Sequence, residues 1–155
     1  PVNDEECEQR SSLVEEAASI GMQRYAVSWA NLMLGFQEKQ NPQVRECIEA
    51  MARRQSLDTF IAHITAGLGR KDQTLYLPHI KIPVLLIVGE KDTWSTVSQH
   101  ENIRQQIPEA RMEVIPDAGH MVILDQPSVV SDLMCHWLFT RNKHVLSPYP
   151  VKPDD

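Results

Sequence analysis

No Cys-x-x-Cys pair occurs in this chain, whose three cysteines, Cys7, Cys47 and Cys135, stand far apart. Zinc ribbons and dithiol redox centres need paired thiols, so neither is expected, and each cysteine reads as a free thiol in a reducing compartment. Cys47 and Cys135 fall on apolar helical stripes and are expected to be small buried residues rather than nucleophiles. Positive charge is sparse and dispersed: the formal net charge is -6, and the densest basic pair is Arg53-Arg54, which reads as a solvated helix face. Nucleic-acid binding would call for a clustered basic surface, so no nucleic-acid partner is expected. No apolar run approaches the roughly 18 residues of a membrane span, and the acidic start Val2-Asn3-Asp4-Glu5-Glu6 is unlike a signal peptide. The expectation is a cytoplasmic protein with no membrane partner. His63, His79, His100, His136 and His144 form no His-x-x-x-His or His-Glu-x-x-His pattern, and there is no phosphate loop or dinucleotide fingerprint. Neither a metal nor a cofactor is expected.

What is present fits a soluble globular chain of one domain's size. With 155 residues, 42% of them hydrophobic and 23% charged, it is long enough to bury roughly 68–70% of its unfolded surface. Four helices are predicted first. Ser12 and Glu15 suggest a capping box ahead of Leu13, Val14, Ala17 and Ala18, with Gly21 as a left-handed stop. Met22, Tyr25, Ala26, Trp29, Leu32 and Met33 mark a second stripe ending near Gly35. Asn41-Pro42 opens a third helix carrying Val44, Cys47, Ile48 and Met51, and Ser56 caps a fourth carrying Phe60, Ile61, Ile64 and Leu68.

After Pro83 the periodicity changes. Val84-Leu85-Leu86-Ile87-Val88 is a continuous apolar run, as expected of a parallel strand covered on both faces. Ser98 and Glu101 suggest a capping box for a helix that stops before Pro108. Met112-Glu113-Val114-Ile115 reads as a second strand. Pro127 suits the first turn of a last helix with the stripe Val130, Leu133, Met134, Trp137 and Leu138. The chain therefore divides into a helical segment over 1–76, an α/β segment with β-α-β-α order over 77–141, and a proline-rich tail over 142–155.

Two phrases carry chemistry: Pro83-Val84-Leu85-Leu86-Ile87-Val88-Gly89-Glu90-Lys91-Asp92, and Ile107-Pro108-Glu109-Ala110-Arg111-Met112-Glu113-Val114-Ile115-Pro116-Asp117-Ala118-Gly119-His120, followed by Gln126-Pro127. Together they resemble the C-terminal part of α/β-hydrolases of the 3-oxoadipate enol-lactonase and esterase-like group. The likeness covers residues 80–140 well, and the helices before it look like that family's cap. It implies the C-terminal portion of an α/β-hydrolase fold, a helical cap segment followed by β-α-β-α. It also implies that Asp92 and His120 are the acid and base of a Ser-His-Asp triad. Each follows a predicted strand by a few residues, where α/β sheets gather reactive groups. Asp92 would hold the His120 tautomer, and His120 would be base toward a serine and then acid toward the leaving group. Glu90 and Asp117 are weaker acids by position. The sequence departs from the family's Thr-Pro-Pro-like turn after the acid, reading Thr93-Trp94-Ser95 instead. Trp94, Met121 and Val122, with Trp29, Met33 and Phe36 from the helices, are candidate substrate-pocket residues, although each also fits core packing.

The nucleophile elbow Gly-x-Ser-x-Gly is framed by none of Gly21, Gly35, Gly67, Gly69, Gly89 and Gly119. In the family's chain order the nucleophile precedes the acid and the histidine, so it is expected upstream of Pro1. The first reading is thus a piece of a serine hydrolase acting on a small ester, lactone or related acyl substrate, inactive alone. An N-terminal half, or self-association, would complete its sheet. Two others stay open: a short paralogue that has lost catalysis and serves as a binding or regulatory module, and an acyltransferase using the same triad.

Overall fold

The computed structural model describes residues 4–35 and 41–141. Phe36, named above as a pocket candidate, and the proline-rich tail lie outside those described residues. The chain runs α1 (Asp4–Ile20), α2 (Met22–Met33), α3 (Pro42–Arg53), α4 (Leu57–Leu68), a 3-10 helix (Thr74–His79), β1 (Leu85–Gly89), α5 (Val97–Gln106), β2 (Arg111–Ile115), a single turn α6 (Val122–Asp125) and α7 (Pro127–Arg141).

Local signals set most helix starts. Asn41 Oδ1 accepts from the Gln43 N–H at 2.9 Å, with Pro42 in the first turn, and Ser56 Oγ accepts from the Thr59 N–H at 3.0 Å. Two expected capping boxes are displaced. Ser12 is inside α1, its hydroxyl donating to the Gln9 carbonyl at 2.8 Å, because the helix has already started at Asp4. The box that starts α5 is Thr96 with Gln99, two residues ahead of Ser98 and Glu101. Gly21 does end α1 at positive φ (79°), but its ψ of 150° is extended rather than left-handed helical.

In the helical block α1 packs on α2 and α4, and α2 on α3. Ala17, Tyr25 and Phe60 make one buried cluster, with Leu13, Met22, Trp29 and Ile64 against it. Ala30, Leu34 and Ile48 make a second, which Met121 and Leu124 join from the α/β segment. The expectation that Cys47 and Cys135 are buried is corrected: both are exposed. On α3 the inward residues are Ile48 and Ala52, and Cys47, one residue before Ile48, is turned some 100° away around the helix. On α7, Val130 faces inward while Met134 and Leu138 remain 48% exposed, so the predicted stripe is wider than the surface covering it.

β1 and β2 pair in parallel, in register from Leu85 opposite Arg111 to Gly89 opposite Ile115. They are the only strands among the described residues. α5 crosses from one to the other and lies on both. Both strands end at one level, so the loops leaving them emerge side by side.

Candidate active site

Those two loops are sewn together before either reaches its reactive residue. The ladder continues one step past the strands as the Glu90 N–H donates to the Ile115 carbonyl at 2.9 Å, and the Lys91 N–H then donates to the Ala118 carbonyl at 2.8 Å. Glycine is what permits this approach. A Cβ on Gly89 would lie 2.3 Å from the carbonyl oxygens of Ala118 and Gly119. Asp117 makes the turn that precedes them at φ 60°, a conformation aspartate tolerates better than most residues.

Asp92 and His120 meet at the end of these loops, with Asp92 Oδ2 and His120 Nδ1 3.0 Å apart. Asp92 is buried, and its Oδ1 accepts from the backbone N–H groups of Trp94 and Ser95, each at 2.8 Å. A buried carboxylate is costly unless hydrogen-bonded, and here both oxygens have donors. Because Asp92 is an acceptor, the hydrogen-bond network assigns the ring proton to Nδ1 and leaves the lone pair on Nε2. The His120 side chain is 33% exposed. Glu90, by contrast, is exposed, and its carboxylate accepts from the Asp117 N–H at 3.3 Å. That bond, with Lys91 beside it, holds Glu90 below the usual carboxylate range.

A carboxylate absent from the sequence reading fixes the histidine loop. Asp125 Oδ2 accepts from the Gly119 N–H at 2.7 Å and from the Gly35 N–H at 3.2 Å. The Met121 N–H donates to the Met33 carbonyl at 3.0 Å. The segment leaving α2 is thereby bound to both sides of His120. No motif or periodicity in the sequence marks Asp125, because the clamp joins α6 to the end of α2 and to the histidine loop.

Beside the pair is a cavity of about 360 Å³, walled chiefly by Met22, Tyr25, Trp29, Phe60 and Ile64. Trp94 belongs to both sites, lining the cavity and lying 6.3 Å from the His120 ring, centroid to centroid. Of the pocket candidates, Trp29 and Trp94 line this cavity. Met33 is buried and Met121 packs on the Ala30, Leu34 and Ile48 cluster, so both occupy the seam between helices and loop; Val122, at the start of α6, is half-buried and also outside the lining. Burial, and secondarily Glu16, push the Tyr25 phenol up to about 12. Its hydroxyl is buried and has no hydrogen-bond partner. Among the described residues no group of histidine, cysteine, aspartate and glutamate could hold a metal ion. No helix there is long and apolar enough to cross a membrane.

A hydrogen-bonded carboxylate and imidazole stand just beyond the carboxyl ends of adjacent parallel strands, where α/β folds place their sites. The chain belongs to the alpha/beta-hydrolase family, whose fold model matches residues 23–127. It is similar to a putative 2-succinyl-6-hydroxy-2,4-cyclohexadiene-1-carboxylate synthase of Bacillus subtilis (strain 168), 27% identical over 122 residues that make 76% of this chain and 44% of that protein. A thermophilic esterase from Thermogutta terrifontis superposes with a TM-score of 0.76 at 27% identity, over 90% of this chain and 52% of the esterase. The enol-lactonase from Burkholderia xenovorans LB400 shares the fold at a TM-score of 0.74 and 21% identity, over 85% of this chain and 50% of that one. The chain thus spans about half the length of these relatives.

Proposed function

We propose that this chain supplies the acid and base of a Ser-His-Asp triad to a hydrolase of small esters, lactones or related acyl compounds. The nucleophilic serine then comes from polypeptide outside these residues. The observation that carries the reading is the 3.0 Å contact between Asp92 and His120, with the remaining carboxylate oxygen already taken by two backbone donors. His120 Nε2 takes the proton of the incoming serine hydroxyl as its oxygen bonds to the acyl carbon. The same nitrogen returns that proton to the departing alkoxide. Water repeats the cycle on the acyl-enzyme and releases the acid. Asp92 stays ionised throughout and stabilises the imidazolium. The oxyanion donors of such enzymes come from the residue after the nucleophile and from an earlier loop, so they belong with the serine. The esterase named above, at 27% identity, supports an acyl substrate.

The test is complementation. Mixed or co-expressed with a nucleophile-bearing N-terminal half of a relative, the chain is expected to restore hydrolysis of a chromogenic short-chain ester, and His120→Ala is expected to abolish it. Robust turnover by this chain alone, lost in His120→Ala, would overturn the division of labour. Turnover of the complemented protein that is indifferent to His120→Ala would overturn the assignment of the base.

A further inference from the structure

The cavity carries a charge opposite to that of the chain. In a protein of net charge -6, no aspartate or glutamate among the described residues lines it, while Arg10 and Arg70 do. The Arg10 guanidinium carbon lies 3.5 Å from the centroid of the Trp94 ring, whose indole is also the wall nearest His120. Glu6 sits behind both cations, 3.3 Å from Arg10 and 2.9 Å from Arg70. Two guanidiniums share this one carboxylate, so the trio keeps a net positive charge. Arg70 also donates to the Gly67 carbonyl at 3.2 Å, which orients it. Each guanidinium has five N–H donors in a planar fork suited to a carboxylate. Tyr25 backs the apolar wall, its hydroxyl buried and without a hydrogen-bond partner.

We propose that the cavity is an anion-selective substrate site: Arg10 and Arg70 bind the carboxylate end of an acyl compound, and its apolar body lies along Met22, Phe60 and Ile64. Calling the occupant a substrate rests on the triad reading above; the charge preference does not. Trp94 joins the two sites, so a ligand anchored at the arginines runs toward His120 along the indole. This separates the protein from hydrolases that take neutral esters only.

The experiment uses the chain itself with two probes of equal shape, 4-phenylbutanoate and 4-phenylbutanamide, titrated by calorimetry at low salt. The carboxylate is expected to bind about tenfold tighter or more, the margin of a charge-assisted hydrogen bond. Arg10→Gln and Arg70→Gln should each shrink that ratio and Arg70→Lys should keep part of it, with circular dichroism reporting that each variant is folded. Equal affinities, a preference for the amide, or no binding of either probe to the folded chain would each overturn the proposal. His120→Ala should leave the carboxylate preference in binding intact. If the complemented protein hydrolyses anionic and neutral esters with equal kcat/KM, the site inference fails and the triad stands. If the preference in binding is found but complementation gives no turnover, the triad reading fails and the anion site stands.

Discussion

Asp92 Oδ1 holds the loop through the Trp94 and Ser95 N–H groups, while Oδ2 holds the imidazole. In Asp92→Asn the amide oxygen stays with the two backbone donors, so the amide nitrogen faces His120 and donates. The ring must then carry its proton on Nε2, where a lone pair is needed. Nitrogen-15 NMR of the isolated chain is expected to show that tautomer switch, and kcat of the complemented protein should fall by about 10⁴-fold. An unchanged tautomer would mean that Asp92 does not control the ring. Gly89→Ala strikes the same site through the backbone, since the new Cβ meets two carbonyl oxygens at 2.3 Å. Neither oxygen belongs to a flexible side chain, so the loops must part, at an overpacking cost of about 1–3 kcal/mol in chemical denaturation. Tyr25→Phe should do the reverse, removing a buried hydroxyl without a partner. Thermal unfolding is expected to be unchanged or higher, because a buried donor without a partner costs stability. Lower stability in Tyr25→Phe would show that the hydroxyl has a structural partner.

Among the elements, α5 separates the two reactive loops and sits on both strands, so its start sets how the chain leaves Asp92. Its capping box pairs Thr96 Oγ1 with the Gln99 N–H at 3.3 Å and Gln99 Oε1 with the Thr96 N–H at 2.8 Å. Thr96→Ala should cost about 1 kcal/mol in denaturant titration. Further along, Arg104 makes two bonds to Glu101, at 2.7 and 2.6 Å, and these bonds, with help from Gln105, bring the Glu101 carboxyl down to about 2. A lowered folded-state pKa stabilises the fold above the ordinary glutamate value and ceases to do so as pH falls through about 2. Solvent screens this exposed pair, so the effect on stability is small, but a carbon-13 titration of Glu101 should show the low midpoint and Arg104→Ala should return it to the ordinary range. Elements of this kind were legible because their causes are local: Asn41-Pro42, Ser56, Pro127 and the apolar run into Gly89 all act within one turn or one strand. The two displaced boxes show the limit of such signals, since Ser98 and Glu101 have the right types and spacing but Thr96 and Gln99 lie nearer the strand exit. The Asp92–His120 pairing was legible through a resemblance covering both phrases. The Arg10–Trp94 stacking and the Asp125 clamp were not, because each joins segments that no periodicity relates.

For the whole molecule the decisive quantity is apolar surface without a cover. Val114 on β2 is 42% exposed, Met134 and Leu138 on one face of α7 are each 48% exposed, and Phe139 beside them is 61% exposed. A parallel sheet is ordinarily covered on both faces and flanked by further strands, and a lone parallel pair leaves its edges open to any other chain. The chain spans about half the length of its relatives, and under the proposal above the cover would come from an N-terminal half. If such a half binds the folded chain it would stabilise it by mass action, and the unfolding midpoint should then rise with its concentration. By itself the chain is expected to self-associate, with scattering that grows with concentration. Met134→Lys together with Leu138→Lys should suppress that association and also block the stabilisation by the N-terminal half, since both events use the α7 face. If instead the isolated chain scatters as a monomer, unfolds cooperatively and keeps one midpoint whatever half is added, then β1, β2 and their helices form a finished domain, and any serine partnering His120 would have to reach it without completing the sheet.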